Sequence, residues 1–429
     1  NAVPFPSVYT LGPVLGSCLI ILFASPGTWT AWLLSLRPLV GLGLISYSAY
    51  LWHQPIFALA RIRVPYGLSD GMMIGLIVLA LVLAWASWLF VEQPVRGRAP
   101  RILPSRRGVL RASAAGIIVL AAFGFWGAQG GAPGRFDPGR SAYLERLHQQ
   151  TSQNRTARTL CSQDGGARVA QACIAYGQRS PKRGIALWGD SHARMILPAF
   201  AEVSRALEAE ILFADQPGCP PLLGVWLMSG GEKARNCRKS VENFVEAIRA
   251  NGVDTVVLVA RWSAYASGDY RGADPQSTLV AEPGFRFLSA EQRLAAFESG
   301  LERTLAHFDA LGLRVILVSQ VPQQRVSPEG LVGSAILRGM SADEARRFFE
   351  GSFVSKHDND RLQAPAQAVL TRRAKAHGAR ILRLEDAFAR AQNYVWLVDD
   401  NALYTDDDHM SEYGAARLGP RFVDALQAE

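Results

Sequence analysis

The sequence predicts a chain in two parts: a membrane α-helical segment of about four spans, then an α/β domain laid out as a three-layer sandwich around a parallel sheet. Three observations lead there. Positive charge is confined to the first third of the chain, long runs in that third carry no charge at all, and the remainder alternates short apolar strands with helix-like stretches. Residues 1–134 hold nine Arg, no Lys and only two acids, Asp70 and Glu92, a net charge of +7, whereas the remaining residues carry a net +1. The formal +8 therefore offers no general basic surface for phosphates, which argues against nucleic acid as a partner. With 49% hydrophobic and 19% charged residues, the chain is too apolar to be disordered.

The uncharged runs set the spans. Residues 1–36, 71–91 and 112–134 carry no charged side chain, and 38–60 carries only His53. A hydrocarbon core about 30 Å thick needs about 20 apolar helical residues, so spans are expected near 8–24, 39–60, 71–91 and 111–128. Pro4, Pro6 and Pro13 interrupt the first. The connection from Arg96 to Arg111 holds six Arg and no acid, and such loops stay in the cytoplasm. Arg37 agrees with this orientation, and Arg61 and Arg63 are outweighed. The fourth span then delivers everything after it to the outside, with the lipid bilayer as the first partner. The start, Asn-Ala-Val-Pro, has neither the Met nor the charged n-region of a cleavable signal peptide, so it reads as the middle of a larger membrane protein. Glu92 reads as a helix-end anchor or an ion-pair partner of Arg96, and His53, beside Trp52 and Pro55, fits an interface role.

From Gly130 the composition changes. Gly130, Gly131, Pro133, Gly134, Pro138 and Gly139 mark a connector over 129–159, and 160–429 reads as the globular domain beyond the membrane segment, 1–128. Strands are expected at Gly184–Gly189, Glu210–Ala214, Thr255–Ala260, Arg314–Ser319 and Ala379–Leu384. Helices are expected at 193–207, 238–251, 290–311, 361–377 and 411–427. Cys18 lies in the first span. The other four cysteines fall in the external domain, where an oxidising compartment favours disulfides. The shortest loops pair Cys161 with Cys173 and Cys219 with Cys237.

At the end of the first expected strand stands Gly189-Asp190-Ser191-His192, directly before a helix. A Ser at a strand-to-helix turn is exposed at the carboxyl edge of the sheet, where the first helical N–H groups can face a developing oxyanion. Alone, this is equally a plain helix N-cap. Near the other end of the chain, Asp406-Asp407-Asp408-His409 supplies an acid and a His three apart. A Ser nucleophile needs a base, and the base needs a carboxylate to hold its tautomer, which gives Ser191, Asp406 and His409 mutually dependent roles. Asp407 and Asp408 are rivals to Asp406, or a solvated acidic turn. Trp188, Trp226 and Trp262 are candidates to stack on sugar rings, against the alternative of core packing.

Gly-Asp-Ser-His with a C-terminal Asp-x-x-His resembles the SGNH/GDSL hydrolases, whose fold is a flavodoxin-like sandwich. The resemblance implies Ser191 as nucleophile, His409 as general base and Asp406 as its orienter, with the N–H groups of Ser191 and Gly218 in the oxyanion hole. It also implies an Asn after a middle strand, where this chain has Arg261-Trp262-Ser263. Ile45-Ser46-Tyr47-Ser48-Ala49-Tyr50-Leu51-Trp52-His53-Gln54-Pro55, with Phe90-Val91-Glu92-Gln93-Pro94-Val95-Arg96, resembles the last spans of membrane acyltransferase family 3. The combination is similar to that family's fused members, bacterial O-acetyltransferases of surface glycans. It implies an inner-membrane enzyme with its C-terminal domain in the periplasm, passing acetyl groups to a surface polysaccharide or lipid-linked glycan. Trp262 would bind substrate. No cofactor or metal is expected to be bound, and acetyl-CoA would be the ultimate acetyl donor. The alternatives are a membrane-tethered esterase with the same triad and a non-enzymatic glycan-binding module.

Overall fold

The computed structural model describes residues 10–96, 105–129, 131, 138–152, 161, 172–177, 181–228, 230–270, 279–280 and 289–427. Arg98 and Arg101 of the expected cytoplasmic loop lie outside them, as do 130, 132–137 and 153–159 of the expected connector. The chain divides into two compact units, 1–138 and 139–429.

The first unit is helical throughout its long segments: Leu11–Phe23, Trp29–Leu34, Arg37–Arg63, Asp70–Ser87 and Arg106–Ala128. Among the described residues, two helices are long and apolar enough to cross a membrane, Asp70–Val95 and Arg106–Ala128. Their large side chains, among them Ile74, Val78, Ile117, Leu120 and Phe123, face outward, as a lipid solvent requires. The expectation of four spans is met in full only by these two. Leu11–Phe23, 13 residues long, falls short of a bilayer's thickness at about 1.5 Å per residue. Arg37–Arg63 has the length, with 27 residues, but dilutes its apolar surface with Ser46, Tyr47, Ser48, His53 and Gln54. Those polar groups have partners. Ser48, buried, donates its hydroxyl to Glu92 on a π-helical turn, Trp88–Glu92, and Trp52 Nε1 donates to Ser87 Oγ at 2.8 Å. His53 Nδ1 lies 2.7 Å from the carbonyl oxygen of Tyr50, one turn back in its own helix.

The second unit is built on a six-stranded sheet. Its strands are β1 (Cys173–Tyr176), β2 (Arg183–Gly189), β3 (Ala209–Asp215), β4 (Thr255–Val259), β5 (Arg314–Val318) and β6 (Arg380–Leu382), in the order β1-β3-β2-β4-β5-β6. All five expected strands are present and parallel. The correction is β1, which pairs antiparallel with β3 and makes the sheet mixed. At four residues, with only Ala175 buried, β1 lacks the apolar run by which its neighbours were legible.

Side chains alternate across the sheet, as a period of two demands. Ile185, Leu187, Ile211, Phe213, Val257 and Val259 enter the core on one face, packed by helices in 191–207, 328–350 and 419–427. Ala186, Trp188, Leu212, Val256, Leu258 and Leu317 enter the other, under Gly231–Ala250, Ala290–Ala310 and Lys356–Ala376. The helices Pro328–Leu337 and Ala342–Glu350 have no counterpart in the sequence reading, nor does the helix inside the expected connector, Pro138–Ser152. The last docks on the first face through Tyr143, Leu144 and Leu147, and Gln150 pairs with Asn401 and the backbone of Ala402. Its three apolar positions are too few to stand out between Gly- and Pro-rich flanks.

Both expected disulfides are formed, Cys161–Cys173 on the edge strand and Cys219–Cys237 between the loop after β3 and the helix Gly231–Ala250. Closing a loop of 18 residues is worth about 3 kcal/mol in the chain-entropy treatment. Replacing Cys219 and Cys237 by Ser should lower unfolding stability by about that amount. Urea unfolding followed by Trp fluorescence measures it, and an unchanged midpoint would show the bridge to be structurally idle.

Candidate active site

β2 lies between β3 and β4, so the chain leaves it toward opposite sides at its carboxyl end. Crevices of that kind are where α/β sheets place their ligands. Gly189 ends β2 where a Cβ would come within 1.7 Å of Val259 O, so only glycine allows β2 and β4 to meet there. Asp190 follows as the N-cap of the helix Ser191–Ile196 and is buried. Its carboxylate accepts from His192 N (2.8 Å), Arg261 N (3.0 Å) and Tyr265 OH (2.8 Å). Burial first, then the Asp190 charge, pushes the Tyr265 hydroxyl well above its ordinary range, so it remains a donor.

Ser191, the first residue of that helix, is half-buried, and its N–H belongs to the turn that has no helical acceptor. His409 Nε2 lies 2.7 Å from Ser191 Oγ, and His409 Nδ1 lies 2.8 Å from Asp406 Oδ2. Asp406 Oδ1 accepts the backbone N–H groups of His409 (2.7 Å) and Asp408 (3.0 Å), which fixes the carboxylate against the ring it orients. The structure thus brings the three sequence-predicted residues into one hydrogen-bonded row. The loop carrying His409 is held in turn by Gln324 N on Asp407 O (2.7 Å) and Gln323 Nε2 on Asp407 Oδ2 (3.2 Å).

Gly218 sits in the loop that follows β3, whose last residue, Asp215, is the register partner of Gly189, two residues before Ser191. The Gly218 φ of +66° suits glycine, and Gln216 N donates to Gly189 O at 3.2 Å. The start of this loop is tied to the Ser191 helix by Arg194 Nη2, 2.7 Å from Asp215 Oδ2. Burial raises the Asp215 carboxyl to about 6 despite that guanidinium.

Two expectations are corrected. Trp262 lies in the core rather than at the crevice: it is 1% exposed, its Nε1 donates to Val318 O at 2.8 Å, and its ring packs near Phe297. Trp188 is likewise core, stacked on Phe244, while Trp226 remains half-exposed under the guanidinium of Arg238. Nor is 406–408 a solvated acidic turn. Asp408 is buried, with Oδ1 3.0 Å from His409 Nδ1 and Oδ2 2.7 Å from Arg261 Nε and 3.4 Å from His192 Nε2. Asp407 turns to Gln323, and burial, then Asp408 and Asp406, raise its carboxyl. Asp408, His192 and His409 bring three donor atoms within 4.8 Å of one another, but a cation there would have to displace the Arg261 charge from Asp408.

Burial alone would lower the His409 pKa, but the hydrogen bonds and charges of Asp406 and Asp408 outweigh it and push the imidazole up to about 10. This pairing adds stability that is fully present below the ordinary His value of 6.5 and is lost as pH rises through about 10.

A family model described as the SGNH domain fused to AT3 domains matches residues 157–424. The chain belongs to that family. Among relatives of this SGNH chain, BcsY of Komagataeibacter xylinus, described as a membrane-bound transacylase, is 33% identical over 114 residues, 25% of this chain and 28% of that protein. The O-acetyltransferase OatA of Staphylococcus aureus is 31% identical over 106 residues, 24% of this chain and 18% of that protein. The chain thus aligns with less than a third of the length of either relative. Among solved structures, the periplasmic domain of a Salmonella ser. Paratyphi A lipopolysaccharide acetyltransferase aligns with 67% of this chain and 94% of its own, at 12% identity and a TM-score of 0.41.

Two outcomes test the SGNH site. Ser191→Ala should abolish covalent labelling by an organophosphonate with unchanged melting, and His409→Ala should slow it about 100-fold or more while losing the stability that the pairing with Asp406 and Asp408 supplies. Since only neutral His409 can accept the Ser191 proton, the labelling rate should climb with pH toward about 10 while thermal stability falls over the same range. A rate that levels off near 6.5 would show that the paired carboxylates do not govern the base.

Proposed function

We propose that this chain is part of an inner-membrane O-acetyltransferase that acetylates a hydroxyl of a cell-surface glycan through Ser191, His409 and Asp406. The observation that carries the reading is the 2.7 Å contact of His409 Nε2 with Ser191 Oγ, backed by Asp406 at 2.8 Å, at the carboxyl edge of an SGNH-family domain. The acetyltransferase names of relatives such as OatA support acyl transfer over other chemistries of this fold. Two long apolar helices support the membrane.

In this reading His409 takes the Ser191 proton as Oγ attacks the acetyl carbonyl of the donor. The oxyanion faces the N–H groups of Ser191 and Gly218, and collapse forms the acetyl-serine while the leaving group departs with the proton from His409. The glycan hydroxyl then gives its proton to His409 and attacks the ester, which returns Ser191 and releases the acetylated glycan. Water in place of the glycan gives the esterase reaction. Cytoplasmic acetyl-CoA is the ultimate donor, and the membrane domain brings its acetyl group across the bilayer; for residues 1–128, the last spans of that domain, four spans remain the proposed arrangement. Residues 129–159 connect that segment to the catalytic domain, 160–429, in the periplasm.

In cells that carry the whole protein, Ser191→Ala should abolish glycan acetylation at normal protein level, and wild-type acetylation by that variant would remove the assignment. Acetylated glycan, rather than free acetate, should accumulate when acceptor is supplied. A reporter fused after Glu429 should be active in the periplasm, because the Arg-rich loop before the fourth span holds that loop inside.

A further inference from the structure

Arg261 opens the segment Arg261-Trp262-Ser263, where the SGNH resemblance implies an Asn, and nothing in the proposed reaction uses it. Its groups are already committed. The backbone N–H donates to Asp190, Nε lies 2.7 Å from Asp408 Oδ2, and Nη2 lies 3.4 Å from Asp269 Oδ2. Asp408, 4% exposed, in turn places Oδ1 3.0 Å from the same His409 nitrogen that Asp406 Oδ2 holds at 2.8 Å. Two carboxylates therefore compete for one N–H.

We propose that Arg261 is a positioning residue that holds Asp408 as its own counter-ion and so leaves Asp406 to orient His409. This rests on the reading of His409 as the general base. The charges facing His409 are Asp406, Asp407 and Asp408 on its own loop, His192 on the Ser191 helix with its ring centroid 5.1 Å away, and Asp190 and Arg261 behind them. Of these, Arg261 is the fixed cation. Removing it leaves Asp408 with no partner but the two imidazoles, and a buried carboxylate in that position draws a proton onto the nearer ring. The Asp408 carboxyl, in spite of burial, is held well below its ordinary range by hydrogen bonds and charge from His192 and His409, which marks it as an anion paired with both rings.

The test reads the His409 ring directly and needs no turnover, so it stays informative if the acetyltransferase reading fails. The full chain, with its seven histidines carbon-13 labelled, is titrated by NMR in detergent, and His409→Gln assigns the resonance. Arg261→Met should raise the His409 proton affinity about tenfold, one pKa unit, and Arg261→Lys should restore most of the wild-type midpoint. Asp408→Asn should lower the midpoint, and adding Arg261→Met to it should change little further. An unchanged or lowered midpoint in Arg261→Met, or the same upward shift in the Asp408→Asn background, would overturn the proposal. Should Arg261→Met not fold, a midpoint unmoved by Asp408→Asn alone would overturn it equally, because Asp408 would then exert no charge on the ring.

Discussion

The catalytic edge of the domain depends on the carboxylate of Asp190. It is buried, and it gathers donors from two strand ends: His192 N after β2, with Arg261 N and Tyr265 OH after β4. Each bond to a charged acceptor is worth about 1.5–3 kcal/mol, and leaving any of these donors unpaired in a dry interior costs a similar amount. The result is rigidity where it matters. Ser191 is the next residue, so the placement of its hydroxyl follows from a network that a neutral or longer side chain at 190 would not complete. Gly189 belongs to the same constraint, because β2 and β4 meet there with no room for a side chain.

From this fixed point, charge extends toward His409 in a buried chain. Asp190 is linked through the Arg261 backbone, and the Arg261 guanidinium to Asp408, which faces both His192 and His409. The Asp190 charge is met by three neutral donors, and the Asp408 charge by the Arg261 guanidinium and the two imidazoles. An isolated carboxylate at the depth of Asp408 would neutralise itself by taking up a proton. The acidic run 406–408 is therefore three separate environments. Asp406 is open and orients the ring, Asp407 is turned to Gln323 and the β5 loop, and Asp408 is sealed against Arg261.

These environments explain what could be read from sequence. The four inner strands β2 to β5 were legible because both faces of each are largely buried, which writes an apolar run, as in TVVLV of β4; β6, with Arg380 exposed and Ile381 and Leu382 half-buried, is the outer strand. Ser191, Asp406 and His409 were legible because their chemistry demands each other, and Gly218 only through the SGNH resemblance. Trp262 was misread for a physical reason: a Trp just past a strand end can turn to the crevice or to the core, and only the position of Val318 O and Phe297 decides it. The edge strand β1 and the helix Pro138–Ser152 carry too few buried positions to produce a pattern. The role of Asp408 was hidden because its partners, Arg261 and His192, are 147 and 216 positions away in sequence.

The same charge arrangement bears on how an acyl-serine in this site would choose between water and a sugar. A ring that two carboxylates hold as imidazolium up to about pH 10 is a reluctant base at neutral pH, whichever hydroxyl it meets. Ser191 and His409 are both half-buried rather than sealed, so exclusion of water by the domain alone is incomplete. What separates the acceptors is residence. A hydroxyl held in line with Ser191 Oγ and His409 Nε2 acts at an effective concentration on the order of 10⁵–10⁸ M, far above that of bulk water, while sharing the same base. In the proposed reaction, transfer would then depend on how long and how well a glycan is positioned at the carboxyl edge of β2 and β4, and a weakly activating base would protect the ester during the interval when no acceptor is there.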